Sequence, residues 1–256
     1  MIKNKLFISS ADRSSGTPSD FRLDLSHSIQ ACTGISLGRI RIPNTFYSID
    51  ENNRQLDWLE DSTSLTTTLD LGSYQVGDSD TDAEAGGFLY LLKTAMDDSS
   101  AADGASKTYE VSYDKPTGLL SISTSDSTSL TITKNQPLCS VLGITNDKTD
   151  TLIVSDRQLN LRGISTIYIE SSLPIVSRIG NQQRSILASF SVDGQFAGLN
   201  TQQDWSADFD MQKIQATTIS HIDLRLTDHS GRIVNNRGHD WSAQLFYTTL
   251  PDTKSS

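Results

Sequence analysis

The stretch "GISLGRIRIP", residues 34–43, decides how this chain folds. Ile35 and Leu37 lie two apart, as do Ile40 and Ile42, and a period of two sends alternate side chains to one face of a β-strand. The apolar phase slips by one residue at Gly38, which predicts a bulge or bend. Pro43 has no amide proton for a ladder and ends the strand. Arg39 and Arg41 fall on the polar face, placed for ion pairing or a subunit contact.

The same rhythm extends in both directions. "FRLDL" (21–25) puts Phe21, Leu23 and Leu25 on one face. Near the other end, "STIYIESS" (165–172), "SILASFSV" (185–192), "HIDLRLTD" (221–228) and "WSAQLFYT" (241–248) all alternate, with a long loop at 193–208. The middle differs. "DENNRQLDWLEDSTS" (50–64) is polar and acidic and reads as a loop or boundary. "LTTTLDL" then reads as a strand, and "TDAEAGGFLYLLKTAMDD" as a helix with Thr81 or Asp82 as N-cap. "KTYEVSYDKPTGLLSIST" has the form of a hairpin about Asp-Lys-Pro-Thr-Gly. "SLTITK" gives another strand, and "QPLCSVLGI" a short helix closed by Gly143. The pattern predicts a mainly β protein: a β-sandwich from residues 1–64 and 149–256, interrupted by a small α+β module at 65–148.

Composition narrows the function. The chain has 256 residues and a formal net charge of −10, which argues against nucleic-acid binding, since phosphate recognition needs a positive field. No apolar run approaches the roughly 20 residues of a membrane span. The apolar stretch after the basic start is too short for a signal peptide, so synthesis in the cytoplasm is expected. Cys32 and Cys139 lie far apart with no ligand spacing and read as buried, reduced thiols. Lys3, Lys5, Arg13 and Arg22 make the N-terminal segment the least acidic part, and residues 1–16 read as an arm running inward or to an adjoining subunit.

One stretch looks like chemistry. "LRLTDHSGRIVNNRGHDWSAQLFY" (224–247) gathers Asp, His and Arg, and with His221 it offers a His/Asp metal set of His221, His229, His239 and Asp240. His229 and His239, however, lie in turn-forming sequence, and no partner stands at recognisable spacing. A long hairpin with polar tips is the better reading, with Trp241, Ala243, Leu245 and Tyr247 on a core face. "SADRSSGTPSDF" lacks the Gly-Lys-Ser/Thr ending of a phosphate loop. Asp78, Asp80, Asp82 and Glu84 alternate like the front of a calcium loop but lack its central Gly and distal Glu, and helix N-termini also gather acids; the spacing leaves calcium open. No Gly-x-Ser-x-Gly occurs. No catalytic, cofactor or metal residue is therefore assigned, and the chain reads as a non-enzyme. Trp58, Trp205 and Trp241 are candidates for sugar stacking, with Trp205 in the long loop facing ligand, a neighbouring subunit or the core.

The flanking segments "FISSADR…SDFRLDLSHSIQACTGISLGRIRIPNTFYSID" and "HIDLRLTDHSGRIVNNRGHDWSAQLFY", with "SYDKPTGLLSIS…PLCSVLGI" between them, resemble penton-type capsid proteins of the adenovirus, polinton and virophage lineage of double-stranded DNA viruses. The resemblance implies a single jelly roll with the module inserted in one loop. It implies a virion structural subunit, a penton-like or minor capsid protein assembling as a homopentamer at capsid vertices and contacting neighbouring major capsid proteins. The chain lacks the Arg-Gly-Asp motif of the adenovirus protein. Lys3, Lys5, Arg13, Arg39, Arg41 and Trp205 are the interaction candidates. Abundant Ser and Thr, few Lys and long loops also suit a phage tail or baseplate component, possibly carbohydrate-binding.

Overall fold

The structure, a computed structural model, describes residues 2–77, 87–175, 177–203 and 211–250. In chain order come strands β1 (Ile2–Ser9), β2 (Ser15–Thr17), β3 (Asp20–Pro43), β4 (Gln55–Glu60) and β5 (Thr63–Thr68), then helix α1 (Phe88–Ala102). Strands β6 (Tyr109–Asp114), β7 (Leu119–Thr124) and β8 (Leu130–Ile132) lead to the short helix α2 (Cys139–Leu142). After it follow β9 (Lys148–Asp150), β10 (Leu152–Val154), β11 (Thr166–Ser171), β12 (Ser177–Ile179) and β13 (Gln182–Arg184). The chain finishes with β14 (Ile186–Ser191), β15 (Leu199–Gln203), β16 (Gln212–Thr227) and β17 (Ser242–Thr249).

Two compact units divide the chain. The first joins Met1–Phe46 to Ile164–Ser256, and the second is Tyr47–Gly163. Residues 47–64 and 149–163, assigned from sequence to the sandwich, lie in the second unit instead. The cause is burial: Leu56 and Trp58 of β4 and Ile153 of β10 pack in the second unit's core, with Leu92, Met96 and Ile122.

The first unit is an antiparallel jelly-roll sandwich. Its sheet runs β1-β17-β3-β16-β11-β14, with β2 and β15 also on β3. β3 is 24 residues long and serves different partners along its length. Residues 32–41 pair with β17, while residues 20–35 pair with β16. At the far end of the path β14 packs back against β3, so the sheet curls on itself. The bend expected at Gly38 is there: Gln244 pairs with Arg39 and Leu245 with Leu37, so Gly38 is passed over. The phase slip lets Ile35, Leu37, Ile40 and Ile42 all face the core.

Four expectations about segments change. Residues 2–9 are no arm but a full strand, paired from Ile2 with Thr249 to Ser9 with Ser242. Within the expected 193–208 loop, Leu199–Gln203 continues along β3 as β15. The stretch 221–248 is not a hairpin, because β16 and β17 lie on opposite sides of β3. Residues after Thr227 instead fold back on β16, with Asp228 N–H bonded to the Arg232 carbonyl at 2.9 Å. Finally, the polar stretch 50–64 contains β4 and the start of β5.

The second unit has sheets β5-β4-β8-β9 and β10-β7-β6 and helix α1. The helix starts later than its acidic prelude suggests, with Gly87 as N-cap and Phe88 as first residue. Thr81 and Asp82 lie outside the described residues. Phe88, Leu89, Leu92 and Met96 supply its buried face. α2 ends where expected, at Gly143 in the left-handed region (φ 76°), where a Cβ would lie 2.2 Å from the Arg157 carbonyl oxygen. Cys32 and Cys139 are buried and unbonded, one in each unit, and burial pushes both thiols up.

Candidate interaction surface

Cross-strand register assembles a face that the linear sequence scatters. Directly paired residues on antiparallel neighbours point the same way. Phe7, Gln244 and Arg39 therefore form one row across β1, β17 and β3. Ser9, Ser242, Arg41 and Thr201 form the next. On the other side of the row lie Lys5 with Phe246 and Ser36, then Lys3 with Thr248, Gly34 and Lys213. Four of the six interaction candidates, Lys3, Lys5, Arg39 and Arg41, thus share the outer face of the jelly roll. Phe7 and Lys213 join them. Neither stood out in the sequence, because residues 1–16 read there as an arm and not as a strand.

The face has an unusual electrostatic character for so acidic a chain. β1, β15, β17 and β3 from Leu25 onward contain no Asp or Glu. Lys5, Arg39, Arg41 and Lys213 carry no ion pair among the described residues. The Lys5 ammonium lies 5.8 Å from the Phe246 ring centroid, within cation–π range. The Arg39 Nε is buried with no hydrogen-bond acceptor among the described residues, and an unmade bond of that kind costs free energy. Phe7 is 73% exposed.

The remaining candidates fall elsewhere. Arg13 is a structural tie: its guanidinium donates to the Ser10 carbonyl at 2.6 Å and to Asp240 at 2.8 Å. Trp205 and the Asp78–Glu84 segment lie outside the described residues. Trp58 and Trp241 are buried at 2% and 3% exposure, which overturns a sugar-stacking role for either. Trp241 packs edge-on against Phe21 at 5.7 Å, and its indole N–H donates to the Pro18 carbonyl at 2.7 Å.

The polar cluster at 221–240 resolves into structural contacts. His221 faces away from the core beside Asp24 on β3, while Ile222 and Leu224 are buried. Asp228 accepts from the Ser230 and Arg232 amides and from the Arg232 guanidinium. Those Arg232 bonds hold its carboxyl below the usual range, although burial works against ionisation. Asp240 holds Ser10 and Arg13. No group of three His, Cys, Asp or Glu among the described residues is arranged to hold a metal ion.

The second unit carries a differently built outer face. Glu110, Ser123 and Leu152 form a row across β6, β7 and β10, followed by Ser112, Ser121 and Val154. Leu152 and Val154 are 50% and 37% exposed on the edge strand. Glu110 and Asp114 are exposed on the opposite flank and face no cation among the described residues. Elsewhere in this unit an open groove of about 680 Å³ runs between β5 and α1 past Tyr74, Tyr90 and Asp98.

The architecture defines a class: a jelly-roll β-sandwich carrying a second compact α+β unit within it, the fold of penton-like capsid proteins. The chain resembles the solved structure of the penton protein of mavirus, with a TM-score of 0.50 over 98% of this chain and 100% of that one, at 13% identity. No protein-family profile and no curated protein matches the sequence. No helix among the described residues is long and apolar enough to cross a membrane.

Proposed function

We propose that this chain is a virion structural protein, a penton-like subunit that forms a homopentamer at capsid vertices and touches neighbouring major capsid proteins. The observation that carries the reading is the fold likeness to the mavirus penton protein, which extends over both units and nearly the full length of both chains. A shared body without shared sequence suits a protein whose work is to occupy a place in a shell, where shape and edge chemistry matter more than any reactive group. The polar groups of this region support the reading, since the buried Asp228 and Asn236 and the exposed Asp240 tie segments together rather than converge on a cavity. Lys5, Arg39, Arg41 and Lys213 of the outer face supply a surface for self-association.

Imaging of the purified protein by negative stain, with mass photometry for stoichiometry, tests the proposal. Five-membered rings are the expected result. Three- or six-fold assemblies would favour a tail or baseplate component, and a monomer at micromolar concentration would overturn the vertex role.

A further inference from the structure

The charge of this chain is divided unevenly between its units. The second unit, residues 47–163, holds 8 Lys and Arg against 19 Asp and Glu, a net of −11; the first holds 13 against 12, a net of +1. The jelly roll is therefore nearly neutral overall, and Lys5, Arg39 and Arg41 lie where β1, β15, β17 and β3 from Leu25 onward bear no carboxylate. A surface of that kind finds its counter-charge on the acidic second unit of another copy of the same chain.

The two outer faces match in more than sign. In the jelly roll, the edge strand β1 presents Phe7, the middle strand β17 presents Gln244 and Phe246, and β3 presents Arg39 and Arg41. In the second unit, the edge strand β10 presents Leu152 and Val154, the middle strand β7 the small Ser121 and Ser123, and β6 Glu110 and Asp114. The Phe7–Gln244–Arg39 row of the first and the Leu152–Ser123–Glu110 row of the second both run apolar, polar, charged across three strands. In each, the charged flank is about 10 Å from the apolar one, two interstrand spacings away. The middle strands differ in bulk, with Gln244 and Phe246 on one and Ser121 and Ser123 on the other.

We infer that the Arg39/Arg41 face of one copy docks on the Glu110/Asp114 face of the next. This rests on the reading of the chain as a self-assembling shell subunit and names the surfaces that do the assembling. The contact is heterologous, using a different patch on each partner, and such contacts generate closed rings when the rotation between neighbours permits. Phe7 meets Leu152 and Val154 as the apolar anchor, while Arg39 and Arg41 meet the two carboxylates. Three strands on each side cover less than a stable interface of roughly 800 Å² per partner, so these residues are its anchors and not its whole extent.

A charge swap tests the pairing. Arg39→Glu with Arg41→Glu, and separately Glu110→Arg with Asp114→Arg, should each weaken assembly by on the order of 10- to 100-fold, because reversed charges then face like charges. All four substitutions in one chain should restore assembly, and that chain should not co-assemble with wild type. Circular dichroism and thermal unfolding of each variant monomer show whether its fold is intact. Wild-type assembly unaffected by either double substitution, or lost without rescue in the fourfold chain, overturns the pairing and leaves the vertex reading standing. A wild-type protein that never assembles removes both.

Discussion

The ring of Phe246 lies over Gly38, so close that a Cβ on Gly38 would stand 2.2 Å from the ring's Cε2. Glycine permits that approach at the bulge of β3, and the ring in turn sits beneath the Lys5 ammonium. Gly38→Ala must push the ring away, and overpacking of this kind costs about 1–3 kcal/mol. In denaturant unfolding, Gly38→Ala should lose that stability in the wild-type background and lose much less beside Phe246→Ala. Equal losses in both backgrounds would mean that the ring is not what glycine accommodates.

Removing residues 1–9 should damage the sheet rather than free an appendage. β1 pairs with β17 along its whole length, and its inward Ile8 is 5% exposed. Burial of one such side chain is worth about 1.5–3 kcal/mol, before the ladder is counted. Truncation also bares one edge of β17, a template for strand-to-strand aggregation. The expected result is a lower Tm with concentration-dependent aggregation. An unchanged Tm would restore the arm.

The alternation of β3, β11, β14 and β16 made the sandwich legible, and so did the glycine at which the rhythm slips. The length of β16 and the whole of β15 were not, because "LNTQQ" and "QKIQATT" carry polar residues at inward and outward positions alike. β4 hid for a related reason: its third inward position is Glu60, a residue that pattern reading places in solvent. Pairing was the other blind spot. Sequence put β16 and β17 in one hairpin, although 14 residues, 228–241, separate them and each reaches β3 from a different side. The same limit concealed the candidate surface. Lys5 and Arg39 could be named from sequence, but only register shows that they share a face with Phe7.

Glu60 anchors a buried network whose members should fail unequally. Its carboxylate accepts the Tyr109 hydroxyl at 2.5 Å and the Ser100 hydroxyl at 3.0 Å, and the Tyr109 oxygen accepts the Trp58 indole N–H at 3.0 Å. Tyr109→Phe strips one donor from the carboxylate and the acceptor from Trp58, and buried groups left unpaired cost about 1–3 kcal/mol each. Ser100→Ala removes a single donor and should cost less. Burial, and then the Glu60 carboxylate, push the Tyr109 phenol well above its ordinary value of 10.0. Its contribution to stability is therefore complete below pH 10 and declines as pH climbs past that value. Ultraviolet titration of the folded protein should leave one tyrosine un-ionised after the exposed ones have titrated, and Tyr109→Phe should abolish that residual group.

Asp228 should shape the acid limb of the stability curve. It is 7% exposed; burial opposes its ionisation, but hydrogen bonds from the Arg232 amide and guanidinium prevail and set its carboxyl below its ordinary value of 3.8. A carboxyl depressed in the folded state binds its proton more readily when the chain unfolds. Its stabilising effect is thus fully present above about pH 4, near the unfolded value, and disappears as pH falls through the lower folded value. Asp228→Asn removes the charge without removing the side chain's bulk. The variant should be less stable than wild type at pH 7, and the gap between them should narrow between pH 4 and pH 2. Thermal unfolding of both proteins across that range measures it. A gap that stays constant down to pH 2 would show that Asp228 contributes through shape and neutral hydrogen bonding and that its charge is immaterial.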